Sequence, residues 1–328
     1  MSDSKNQQLW DACTSGDLDL VKLLVNDPAV DVNWGDPELN RTPFFRACGH
    51  NAVTVVEFLL KHPRVEINKP TNERGGSFNI ACQQGCTGVV SLLLNDPRIN
   101  VNHPGNNGAS PFNIACQNGR QDVVSLLLDN IGVDVNIPNN NASTPLWFAS
   151  QNGYLGIAQL ILVSGREVDT QTKSIAGTAR WNGKTAADIA RYQGVRVKPA
   201  GELEEEYNRR KRNGPMIANW LDSYDVDAIT TRQQLRELPE LRDSFTSDLF
   251  ALVIFLCDGL LTTSAGSSAS PSHEKAVRFF QSVQCLPMEL QMVLCNRAFG
   301  AGKDHILTKH SEPAFKKLGK LLTRSPTH

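Results

Sequence analysis

The chain has 328 residues, 40% hydrophobic and 20% charged, with a formal net charge of -1. This is globular composition, which excludes a chain disordered throughout and allows one large domain or two ordinary ones. The balanced charge provides no field to attract nucleic acid or an anionic membrane, so we expect neither as a partner. The polar N-terminus is unlike a secretory signal, and the longest apolar run, 249–257, is too short to cross a bilayer. These features predict a cytoplasmic protein.

From the N-terminus to about residue 195, the sequence repeats itself. An alanine recurs at spacings of 35, 34, 34, 34 and 41 residues, at Ala12, Ala47, Ala81, Ala115, Ala149 and Ala190. Four residues after each alanine stands a glycine or an asparagine, which tolerates the left-handed conformation at a helix end. In most units an apolar helical pattern and a short motif such as DVN follow. Each unit therefore predicts a helix, a tight turn, a second helix and an extended hairpin.

The repeat resembles the ankyrin repeat. The family's T-P-L-H-x-A signature occurs in altered form as TPFFRA at residues 42–47, SPFNIA at 110–115 and TPLWFA at 144–149, with a degenerate copy, GSFNIA, at 76–81. The resemblance covers about residues 6–195, in five to six units. It implies an all-α repeat solenoid of helix-turn-helix plus hairpin units, because a single unit cannot bury its apolar face without neighbours. The second helices would form the convex side, and the first helices and hairpins the concave side.

Two repeated positions carry residues that invite a chemical interpretation. Cysteines follow the aligned alanine in the first four units, but stacked helices lie about 8–10 Å apart, too far for disulfides, so we expect small buried side chains. Asn79 and Asn113 stand at the family's histidine position and are predicted to tie the hairpin to the helix start. No catalytic, metal or cofactor motif is present in the sequence, so we expect a protein that is not an enzyme and has no cofactor.

In ankyrin repeats, partners contact the hairpin tips and the exposed turns of the first helices, and the resemblance implies the same here. The predicted partner-binding residues are Trp34, Arg41, Asn72, Glu73, Gln83, Gln84, Asn106, Asn107, Gln117, Asn118, Asn140, Asn141, Gln151, Asn152, Arg180 and Trp181. Their amides suit an extended peptide backbone. The alternative is that QNG and NNG are turn chemistry, repeated because the unit was duplicated. Arg180 and Trp181 end a longer junction, which is either a binding finger or a tolerated loop.

The periodicity stops near residue 195, and residues 196–224 are predicted to form closing helices. A charged helix would end at Asn213 and Gly214, and Pro215 would start the next one. The basic run at 209–212 is interpreted as a solvated helix face, with a nuclear signal as the alternative.

Residues 225–328 are predicted to form a C-terminal helical domain, a small bundle with a flexible linker near 262–272. Within it, residues 286–290, LPMEL, resemble the opening of an F-box. The sequence thus supports a non-enzymatic protein-protein interaction scaffold as its first interpretation. The alternative is a substrate-recruiting adaptor whose second partner is the ubiquitin-ligase core. A purely structural helical cap is the competing interpretation of the LPMEL region.

Overall fold

The computed structural model describes residues 2–72, 75–105, 107–175 and 181–241, together with the single residues 249 and 252. Thirteen helices and no β-strand lie within these residues. The helices are α1 Ser2–Ser15, α2 Leu18–Val25, α3 Pro43–Gly49, α4 Val53–Leu60, α5 Ser77–Gln84, α6 Thr87–Leu93, α7 Pro111–Gln117, α8 Gln121–Leu128, α9 Pro145–Asn152, α10 Leu155–Val163, α11 Ala186–Val195, α12 Glu204–Val226 and α13 Ala228–Arg236. The predicted linker and the LPMEL segment lie outside the described residues.

The helices are stacked as two parallel rows. The odd-numbered helices from α1 to α11 each pack against the next odd-numbered helix, and the even-numbered helices from α2 to α12 do the same. Each odd-numbered helix also packs against the even-numbered helix that follows it in the chain. This confirms the predicted repeat solenoid, in which each unit buries its apolar face only against its neighbours.

The helix boundaries follow from local sequence. Thr42, Ser110 and Thr144 accept a hydrogen bond from the backbone N–H three residues later, and a proline at the next position begins each helix. The residue predicted to end the first helix of a unit has a positive φ in five units, at Gly16, Asn51, Gly85, Gly119 and Gly153. In these units the turn prediction is confirmed.

The predicted break at Asn213 and Gly214 is wrong. Helix α12 runs unbroken from Glu204 to Val226 with Pro215 inside it. Gly214 is required here because a Cβ would lie 2.4 Å from the carbonyl oxygen of Ala190 on α11. Gly194 likewise does not end α11 but leaves room for the Pro215 ring, which a Cβ would meet at 2.6 Å. The glycines permit two helices to cross closely and do not mark helix ends.

The cysteines and alanines of the repeat form the core of the stack. Cys13, Cys48, Cys82 and Cys116 are each 0% exposed, and all are free thiols. Burial raises the pKa of Cys13 to about 12 and raises the pKa of the other three as well. They therefore remain protonated and pack as small apolar side chains.

Asparagine side chains join successive hairpins, which are built from turns. Asn102 accepts a hydrogen bond from the backbone N–H of Asp134 at 2.9 Å and donates one to the carbonyl of Gly132 at 2.7 Å. Asn33 and Asn136 bridge to the next hairpin in the same way. The DVN motif recurs because each asparagine satisfies backbone groups of the following unit.

Helix α12 closes the fifth repeat through its basic run. Arg209 donates to the carbonyl of Asn152 at 3.1 Å and stacks on the ring of Tyr154 at 4.6 Å. Arg210 forms an ion pair with Glu202 at 2.6 Å, and the same Glu202 carboxylate, which is 8% exposed, also pairs with Arg196. The prediction that the basic run is a solvated helix face is therefore wrong for its first two arginines, which hold α12 against the repeats.

The chain divides into two compact units, residues 1–228 and 229–328. All the repeats and α12 belong to the first unit. No helix in the described part of the chain is long and apolar enough to span a membrane.

Candidate binding groove

A groove of about 860 Å³ lies along the first helices of the second, third and fourth units, α3, α5 and α7, and the hairpins that precede them. Its lining residues are Leu39, Arg41, Phe45, Arg46, Gly49, His50, Thr71, Gly75, Gly76, Asn79, Ile80, Gln83, Gln84, Gly105, Asn107, Ile114, Gln117 and Asn118. The volume lies within the range of about 300–1,000 Å³ that is usual for ligand sites.

The groove brings together some of the predicted contact residues and not others. Those that line it are Arg41, Gln83, Gln84, Asn107, Gln117 and Asn118. Gln151, Asn152 and Trp181 line a separate pocket of about 440 Å³. Trp34, Asn72, Asn140 and Asn141 line neither of these two pockets. Glu73, Asn106 and Arg180 lie outside the described residues.

Three glutamines give the groove its polar character. Gln83, Gln84 and Gln117 are exposed, and their side-chain amides have no hydrogen-bond partner among the residues that the structure describes. The backbone beneath two of them is secured: Arg120 donates to the carbonyl of Gln83 at 2.8 Å, and Asn152 donates to that of Gln117 at 3.0 Å. Rigid helix ends thus carry side chains that remain available to an outside molecule.

The two asparagines of the groove are already engaged. Asn118 donates to the carbonyl of Ile114 within its own helix at 2.8 Å. The Asn107 side chain accepts a hydrogen bond from the backbone N–H of Ala109 at 3.1 Å, which is turn chemistry. The Asn107 bond is thus of the kind that the turn alternative describes, whereas Asn118 caps the end of α7.

The hairpin tips bind mainly to each other. Asn72 donates to Glu38 of the preceding hairpin through its side chain at 3.2 Å and to Leu39 through its backbone at 2.8 Å. The backbone N–H of Asn140 donates to Asn107 at 2.9 Å. These contacts stack one hairpin on the next.

Buried amides hold the hairpins to the helices, as expected from the repeat position of Asn79 and Asn113. Asn79 donates to the carbonyl of His103 at 3.1 Å. Asn113, which is 0% exposed, donates to the carbonyls of Ser143 at 3.0 Å and Ile137 at 3.4 Å.

The predicted aromatic anchors are partly enclosed. Trp34 is half-buried. Trp181 packs edge-on against Trp147 and Tyr192, with ring centroids 6.3 Å and 5.4 Å away. Asn152 accepts a hydrogen bond from Arg210 of α12 at 3.1 Å. The surface of the fifth unit is therefore largely engaged by the closing elements.

Apolar side chains lie between the polar ones in the groove. Ile80 and Ile114 stand at the same repeat position on α5 and α7, and both are half-buried. Gly49 on α3 leaves space beside Ile80, since a Cβ there would lie 3.1 Å from an Ile80 methylene. Shallow apolar contact is thus available next to each exposed glutamine.

The α3 end of the groove is basic, which the sequence interpretation recognised only at Arg41. Arg46 occupies the repeat position of Ile80 and Ile114, and this substitution is the signal that would have identified it. Its guanidinium lies 4.3 Å from the ring centroid of Trp10 on α1, and it donates to the hydroxyl of Thr14 at 3.3 Å. Packing between α1 and α3 therefore orients Arg46.

Arg41 is neutralised within its own hairpin. It pairs with the buried carboxylate of Asp36 at 2.9 Å. Burial alone would raise the pKa of Asp36, but hydrogen bonds from Arg41 and from backbone N–H groups lower it to about 2. At neutral pH the pair is fully charged and satisfied.

Arg46 forms no such ion pair. Burial and the charge of Arg41 lower its pKa, and the charges of Asp36 and Asp11 oppose this shift, but no carboxylate in the described part of the chain lies close enough to pair with it. Burial and the Arg46 charge also lower the pKa of His50, which lines the same end. His50 is therefore neutral at pH 7 and adds a hydrogen-bonding ring without a charge.

Comparison with known proteins identifies the repeated unit. The family model described as ankyrin repeats (3 copies) matches residues 9–104 and 78–172, which together span half of the chain. Among solved structures, an ankyrin repeat protein is 22% identical with a TM-score of 0.49, over 62% of this chain and 94% of that one. An ankyrin repeat domain from Acinetobacter baumannii AYE is 20% identical with a TM-score of 0.49, over 64% and 97%. None of the curated proteins matches the chain.

Proposed function

Because this chain belongs to the ankyrin-repeat family, whose members are generally protein-protein interaction modules, we propose that it is a non-enzymatic scaffold that binds a protein partner in the groove along α3, α5 and α7. The observation that carries this proposal is the row of unpartnered amides at Gln83, Gln84 and Gln117 beside half-buried isoleucines. An amide both donates and accepts, so this row matches the alternating groups of an extended peptide backbone.

The groove is favoured over the hairpin tips as the binding site because the side chains of the tips already make hydrogen bonds within the chain. The side chains of Asn72 and Asn107 make hydrogen bonds within the repeat stack, so a partner would have to displace them. The side chains of Gln83 and Gln117 offer their hydrogen bonds without such a loss. Uncompensated desolvation of a polar group costs about 1–3 kcal/mol, which favours the unpartnered set.

Site-specific photo-crosslinking tests the proposal. A photo-reactive phenylalanine analogue replaces Gln84 in the groove or, as a control, exposed Ser125 on α8 in the full-length protein. We expect a discrete crosslinked protein from Gln84 and none from Ser125. The double variant Gln83→Arg, Gln117→Arg should abolish the Gln84 product while the thermal unfolding temperature stays close to that of the parent. Equal crosslinking from both positions, or a product that survives the double variant, would place the partner elsewhere.

A further inference from the structure

The charges that line the groove are all of one sign. Among the described lining residues, the ionisable side chains are Arg41, Arg46 and His50, and no aspartate or glutamate is included. Since Asp36 and Glu38 both pair with Arg41 and His50 is neutral at pH 7, the positive charge of the lining that forms no ion pair is that of Arg46. It is concentrated at the α3 end, whereas the α5 and α7 sections present amides and isoleucines at the corresponding positions.

Arg46 is also held in place without forming an ion pair. The Trp10 ring and the Thr14 hydroxyl fix the orientation of the guanidinium, yet neither carries a negative charge. A pre-oriented cation loses little conformational entropy when it binds an anion. The partly buried site screens the charge less than open water does.

Resting on the function proposed above, we propose that the groove selects an extended peptide segment with an acidic side chain that pairs with Arg46 and a mostly uncharged stretch that follows along Gln83, Gln84 and Gln117. Charge complementarity decides the class of partner: a lysine or arginine at the first position would face an unpaired cation. The apolar contacts at Ile80 and Ile114 and the amides beside them suit uncharged residues further along.

The repeat spacing sets the register of such a peptide. Neighbouring helices stack about 8–10 Å apart, and an extended chain advances about 3.3 Å per residue, so about three peptide residues span one repeat. With the acidic residue at position 1, the Gln83 level is reached near position 4 and the Gln117 level near position 7. The structure thus predicts an acidic residue at one end of a segment of about seven positions, of which the other six need no positive charge.

Selection from random twelve-residue peptides displayed on phage provides the probe, with the full-length chain as bait. Enriched sequences are then synthesised with an amidated C-terminus, so that a carboxylate must come from a side chain, and titrated calorimetrically. We expect one fixed acidic position. Its replacement by the corresponding amide should weaken binding about tenfold, as should Arg46→Gln in the protein. Arg212→Gln, an exposed arginine on α12, removes the same charge outside the groove and should change nothing.

The variant Arg46→Lys distinguishes a loss of packing from a loss of recognition. It retains the charge and should keep the acidic preference, whereas Arg46→Glu should prefer a basic residue at that position. Failure to enrich any peptide, absence of an acidic position, or unchanged binding by Arg46→Gln would each overturn this inference. If the enriched peptides lack an acidic position but do not bind the double variant Gln83→Arg, Gln117→Arg, the proposed groove function stands. Peptides indifferent to that double variant would overturn both.

Discussion

The amides of the hairpin edge and those of the groove look alike in the sequence but have different structural roles. At the hairpin edge, Asn102 and Asn136 bind the backbone of the next repeat. In the groove, Gln83 and Gln117 have side chains without a partner in the described part of the chain. The difference teaches that a recurrent amide holds the stack together where it reaches a neighbouring backbone and is available for recognition where it does not.

The largest expected effect is at Asn113, the buried amide that ties a hairpin to α7. We expect Asn113→Ala to lower the free energy of unfolding by about 3 kcal/mol, since buried hydrogen bonds are lost and a small cavity remains. Urea unfolding followed by circular dichroism measures it. Asn118→Ala, five residues later and bonded only within its helix, is the control and should cost much less. If both variants lost the same free energy of unfolding, the buried hydrogen bonds of Asn113 would be no more stabilising than the surface bond of Asn118.

The ion pair of the first hairpin comes next. We expect Asp36→Asn to cost about 2 kcal/mol at pH 7, because the carboxyl pKa of about 2 lies below its ordinary value of 3.8. A lowered folded-state pKa stabilises the protein above the ordinary value, and this contribution is lost as pH falls through the folded value. The difference between the two proteins should therefore shrink between about pH 4 and pH 2. Asp19→Asn, at a fully exposed residue on α2, is the control and should change the free energy of unfolding at pH 7 by less than about 0.5 kcal/mol.

A hairpin asparagine should have a smaller effect. Asn102→Ala removes two hydrogen bonds to the next hairpin and should lower the free energy of unfolding by about 1–2 kcal/mol, because the site is only half-buried. Asn141→Ala, at an exposed hairpin tip, is the control. Chemical unfolding of both variants measures the difference in their free energies of unfolding. A change below about 0.3 kcal/mol would show that the asparagine ladder does not stabilise the stack.

The groove glutamines should have the smallest effect on stability. Gln83→Ala and Gln117→Ala should each shift the free energy of unfolding by less than about 0.5 kcal/mol, since exposed side chains without partners contribute little. Both should nevertheless reduce the yield of the product crosslinked from Gln84. A stability loss as large as that of Asn102→Ala would show that these amides belong to the scaffold.

Local sequence was enough to predict the repeat. The period, the caps at Thr42, Ser110 and Thr144, and the turns at residues such as Gly85 depend on chemistry within a few residues. The buried cysteine position was also predictable, because stacked helices at a constant spacing tolerate only a small side chain there. The sequence did not reveal that two of the predicted contact residues, Asn72 and Trp181, make contacts within the stack.

By itself, then, the sequence determined the family, the order of the units and the row of amides, because each of these repeats at a constant period. Only the tertiary structure decided that Gly214 and Pro215 lie inside one helix, because the close crossing with α11 outweighs their local tendency to end it. It also decided which amides bind neighbours and which face the groove. Trp10, a residue of the preceding repeat, orients the Arg46 guanidinium. A contact of this kind between two units cannot be recognised from the residues near Arg46 in the sequence.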